Sequence, residues 1–63
     1  MPKIFILLDR TGGSSLAVEW QGNRFDARRQ ALTMLKTWQD RGQRGTVQVI
    51  LNGQSRPYFK GYV

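Results

Sequence analysis

One amphipathic stripe lies in the middle of this chain, and it limits the fold more than any other feature. Apolar residues fall at Ala27, Ala31, Met34, Leu35 and Trp38, the i, i+4, i+7, i+8, i+11 spacing of one helix face. Asp26 stands before the stripe as an N-cap, and Gly42 ends it, with Arg41 placed against the negative end of the helix dipole. Arg29, Lys36 and Asp40 occupy the opposite face, and Lys36 and Asp40 are spaced to pair. No other segment has this period. A lone helix must bury its stripe against something, and the flanking segments have the alternation of strands.

Lys3–Arg10 is apolar and rich in β-branched residues, then gives way to the polar run Asp9–Ser15. It reads as a buried strand and a turn. Leu16, Val18 and Trp20 alternate with Ala17, Glu19 and Gln21, which makes a second strand. Gly12 and Gly13 supply the hairpin loop between them. After the helix, Val47, Val49 and Leu51 form one face of a third strand, and Asn52-Gly53 is the signature of a two-residue type I′ hairpin. A fourth strand must then return beside the third. Pro57 cannot donate to a ladder, which puts that strand at an edge.

The predicted order is ββαββ, an α+β fold in one domain spanning residues 1–63. Two hairpins joined by a crossover helix give a four-stranded antiparallel sheet in the order 2-1-3-4, with the helix packed on one face. Leu16, Val18 and Trp20 should meet that helix together with Ile4, Ile6, Leu8, Val47, Val49 and Leu51. Trp20 and Trp38 are both expected in the core.

The other sheet face is left open. It should carry Phe5 and Leu7 from the first strand, Gln48 and Ile50 from the third, and Tyr58, Lys60 and Tyr62 from the fourth. Rings interleaved with cations on a sheet are a known way of holding nucleic acid, with bases stacked on rings and cations on phosphate. The patch Phe5, Leu7 and Ile50 also suits burial against a second copy, because so short a chain covers little of its own apolar surface. A homodimer through those three residues is expected on that ground.

Charge points the same way. Ten Lys and Arg stand against four Asp and Glu, a net +6, and seven of the ten cations are Arg. Such an excess favours anionic partners. The candidate nucleic-acid contacts are Lys3, Arg24, Arg28, Arg29, Lys36, Arg56, Tyr58, Lys60 and Tyr62. Arg24, Arg28 and Arg29 gather where the helix begins, an end that attracts anions by itself.

Chemistry by familiar constellations has few residues to draw on. The chain has no Cys and no His, so Ser-His and Cys-His pairs, the usual zinc ligands and thiol redox chemistry are absent. A paired-carboxylate mechanism would have to draw on Asp9, Glu19, Asp26 and Asp40. Asp26 caps the helix, Asp40 is spaced to pair with Lys36, and Asp9 sits in a turn. The Gly-rich turn joins two strands and lacks the Gly-Lys-Ser/Thr of a phosphate loop. A non-enzymatic binding protein is expected, without cofactor, metal or small-molecule substrate. Its partner is nucleic acid, DNA or RNA. The alternative is an acidic protein surface on which it docks as an adaptor or inhibitor, and the small size and lack of chemistry make a phage or another mobile element the expected source in that case. The apolar run Ile4–Leu8 is too short for a signal peptide core or a membrane span, so a cytoplasmic protein is the expectation.

Overall fold

In the computed structural model, which describes residues 3–63, the chain runs β1 (Ile4–Arg10), β2 (Ser15–Trp20), α1 (Arg24–Asp40), β3 (Gly45–Leu51) and β4 (Phe59–Tyr62). The strands form one sheet in the order β2-β1-β3-β4, antiparallel throughout. The alternation read from the sequence sets the two faces. Ile4, Ile6, Val47 and Val49 are buried under the helix with Ala27, Ala31, Leu35 and Trp38. Phe5, Leu7, Gln48 and Ile50 are half-buried on the other side.

Small residues decide where the helix sits. Ala27 and Ala31 are fully buried in the same core cluster as Val47 and Val49, and their short side chains suit the close packing of α1 on β3. Gly61 pairs with Val47 on the helix side of β4, and Leu35 fills the space a side chain there would take. The helix therefore lies over β3, flanked by β4 and β1, and hardly reaches β2. This corrects one expectation. Leu16 and Val18 are on the helix side of the sheet but are not covered, and remain 56% and 39% exposed. Trp20 is half-buried at the margin of the core, not within it.

The helix begins three residues earlier than the stripe predicts. Asn23, not Asp26, is the N-cap: its side-chain oxygen accepts from the Asp26 amide at 2.8 Å. The Asn23 carbonyl accepts from the Ala27 amide and from the Trp20 indole N–H, both at 3.1 Å, which ties the β2 end to the helix start. Caps of this kind contribute about 1 kcal/mol. Asp26 falls in the first turn, where its charge suits the helix dipole. At the other end, the Gln43 amide donates to the Trp38 carbonyl and the Gly42 amide to that of Gln39. With Gly42 at φ 72°, this is a Schellman closure, and Arg41 is the C-cap.

The second hairpin also departs from its signature. A type I′ turn needs positive φ at both central residues, yet only Gly53 has it, at 87°. The Asn52 amide instead donates to the Lys3 carbonyl beside β1. Pro57 offers no amide, so the ladder to β3 starts with the Tyr58 amide donating to Val49. The connection consequently runs from Asn52 to Tyr58, and β4 is only four residues long.

Candidate nucleic-acid interface

Register fixes the open sheet face row by row. Glu19, Phe5 and Ile50 share one row, Ala17, Leu7, Gln48 and Lys60 the next, and Ser15, Asp9, Thr46 and Tyr62 the third. Phe5, Leu7 and Ile50 are thus neighbours, as the sequence implies, and Lys60 and Tyr62 point outward beside Gln48 and Thr46. Tyr62 is 80% exposed. It is four residues along the sheet from Phe5, roughly 13 Å, and two strands across, so these rings do not form one platform.

Tyr58 is not on that face. The bond from its amide to Val49 turns it to the helix side, where it packs against the core. There it meets the helix start. The Arg24 guanidinium lies 5.7 Å from the centre of the Tyr58 ring and 5.3 Å from that of Phe25. One turn on, the Arg28 guanidinium lies 5.8 Å from the Phe59 ring centre. A planar guanidinium on a ring face keeps its N–H edge free for other partners. The expected basic group at the helix start thus becomes a layered one, two arginines over three rings.

The remaining candidates surround this layer unevenly. Arg29 lines a shallow groove with Phe25, Arg28 and Leu32, and Phe25 is 62% exposed. Lys36 follows Arg29 along the solvent face of α1, two turns away. Arg56 precedes Pro57 in the connection that delivers Tyr58, and Lys3 is joined to the start of that connection through Asn52. Lys60 is across the β4 edge on the opposite face.

A second basic group emerges only in the folded chain. Arg10 ends β1 opposite Gly45, and the Thr11 amide donates to the Arg44 carbonyl at 2.9 Å. Arg10 and Arg44 line one depression with Gly12, Gly42 and Gln43. Arg44 also joins Gln39, Gln43, Tyr62 and Val63 in another. Arg41, the C-cap, is at the same end of the molecule. The sequence does hold a signal for this group: Arg10 closes one strand and Arg44 immediately precedes the strand that pairs with it. Basic and aromatic side chains therefore follow β4 from Arg24, Arg28 and Tyr58 at one end to Tyr62 and Arg44 at the other.

No protein-family model matches this chain, and neither a curated protein nor a solved structure gives a significant match. Among the described residues no helix is long and apolar enough to cross a membrane, and no cluster of His, Cys, Asp or Glu could hold a metal ion.

Proposed function

We propose that this protein is a non-enzymatic nucleic-acid-binding protein that holds a single strand along the β4 side of its sheet, mainly through phosphate contacts. The observation that carries this reading is the pair of arginines, Arg24 and Arg28, held over the rings of Phe25, Tyr58 and Phe59. Stacking settles each guanidinium before a ligand arrives, so less side-chain entropy is lost when it meets a phosphate. Six more cations than carboxylates leave a field that draws polyanions in. The exposed rings of Phe25 and Tyr62 favour single strands, because base faces are available for stacking only when the duplex is open.

The test is titration of labelled single- and double-stranded oligonucleotides at low and physiological salt. Single strands should bind more tightly, and affinity should fall with salt. Replacing Arg24 and Arg28 with alanine should flatten the logarithmic salt slope by roughly 0.7 per arginine. Tyr62→Ala should weaken binding without unfolding, since its ring is exposed and a stacked base contributes about 1–3 kcal/mol. Absence of binding at about 50 mM salt, where electrostatic association is still strong, would remove the proposal.

A second reading has its own observation. Phe25 and Leu32 are exposed and alternate with Arg29 and Lys36 on the outer face of α1. That mixture suits an acidic protein surface with apolar residues of its own, and it would become the preferred reading if oligonucleotides fail to bind.

A further inference from the structure

We propose that β2 is the docking edge for a second copy of this chain, with two β2 strands pairing antiparallel about a two-fold axis to join both sheets into one of eight strands. Unlike the open-face dimer expected from the sequence, this contact uses the sheet edge and the helix side of β2.

The backbone supplies the first reason. β2 is paired with β1 alone, so its outer edge presents unpaired N–H and C=O groups along six residues, Ser15–Trp20. Natural edges are usually blunted by Pro, Lys, bulges or shortness. The opposite edge, β4, has such devices: it is four residues long, follows Pro57 and carries Lys60. β2 has none, and Glu19 is its only charge.

Side chains supply the second reason. Because α1 hardly reaches β2, Leu16 and Val18 stand exposed beside an apolar groove lined by Ile6, Leu8, Val18, Trp20, Gln30 and Met34. In an antiparallel pair, residues opposite one another share a face. Leu16 can thus oppose the partner's Val18, or Val18 can oppose the partner's Val18 in the next allowed register. Either way the exposed apolar residues of both copies meet on the helix side, between the two helices. Glu19 then faces Ser15 or Ala17 of the partner subunit and never its own copy, so no like charges are opposed.

The self-complementary pairing of Leu16 and Val18 points to a second copy as the occupant, and charge bears on where it docks. Two chains of net +6 repel over most of their surfaces, but Ser15–Trp20 contains no cation, and the Arg10 guanidinium lies beyond it, against Gly13 in the hairpin loop. β2 is the stretch where copies can approach at least electrostatic cost, and it leaves the basic β4 sides at the two outer ends of the joined sheet. The contact is small beside a standard interface of about 800 Å² per partner, so association should depend on concentration.

Sedimentation equilibrium from about 10 μM to about 1 mM, a range suited to weak complexes, should show a monomer–dimer equilibrium. Val18→Lys enters the interface twice and should weaken association by roughly tenfold or more. Leu16→Lys, at a more exposed position, should do the same and guards against a folding defect in the first variant. Leu7→Lys, on the open face, should leave the dimer intact. Amide exchange should slow in β2, and not in β4, as concentration rises. A wild-type monomer throughout the range would overturn the proposal. So would a dimer that survives both β2 substitutions or is lost with Leu7→Lys, since either result puts the interface elsewhere.

Discussion

Trp38→Ala is expected to cost about 3–5 kcal/mol and to leave little folded protein. Trp38 is buried against Gly45 in the last turns of α1 and is the largest side chain in the core. A domain of this size sits at the low end of the usual ~5–15 kcal/mol of net stability. No disulfide is available to offset the loss, because the chain has no cysteine. Thermal and urea unfolding of the variant would measure the effect. An unchanged midpoint would mean that α1 does not present Trp38 to the sheet.

The second large effect is expected from a single added methyl group. A Cβ on Gly45 would lie 2.5 Å from the Asp9 carbonyl oxygen, 2.8 Å from Arg10 Cα and 2.7 Å from Trp38 Cζ3. Two of those atoms belong to the β1 backbone, which cannot move without disturbing the central strand pair. Overpacking of this kind costs about 1–3 kcal/mol and sometimes more. Gly61→Ala makes the comparison useful. Its Cβ would come equally close, 2.5 Å, but to the Leu35 Cδ1 end of a flexible side chain. Urea midpoints should therefore fall further for Gly45→Ala than for Gly61→Ala. The reverse order would show that backbone crowding at the β1–β3 junction is not what keeps residue 45 a glycine.

The parts of this fold that depend on periodicity are legible in the sequence. The stripe from Ala27 to Trp38 and the alternation in β1 and β3 are local signals that need no knowledge of neighbours, and two hairpins around one crossover leave little choice of strand order. What escapes depends on size and on single hydrogen bonds. The sideways position of α1 follows from space left at Gly61 and close approach at Ala27 and Ala31, and only the assembled sheet reveals that this uncovers Leu16 and Val18. Continuing the alternation of β4 backward puts Tyr58 on the open face, but the ladder begins only after Pro57, and one bond to Val49 sends the ring under Arg24. Of the candidate site, the cations at the helix start are visible as a cluster, while their stacking on Tyr58 and Phe59 requires the connection from Asn52 to be traced in space. Arg10 and Arg44 escape notice because each lies at the end of its own segment, and only strand pairing joins them.

The position of β1 at the centre of the sheet has a kinetic consequence. Joining β1 to β2 closes a loop of four residues, whereas joining β1 to β3 closes 34, a difference of roughly 2 kcal/mol in chain entropy. Neither hairpin alone encloses an apolar core, and the span to be closed contains α1, whose formation shortens it. The rate-limiting event should therefore be the meeting of α1, β1 and β3, with β2 and β4 adding afterwards. On this order, trimming Ile6 or Val47 slows refolding, whereas trimming Val18 or Phe59 chiefly quickens unfolding. Stopped-flow rates that divide the other way would place the nucleus in a hairpin.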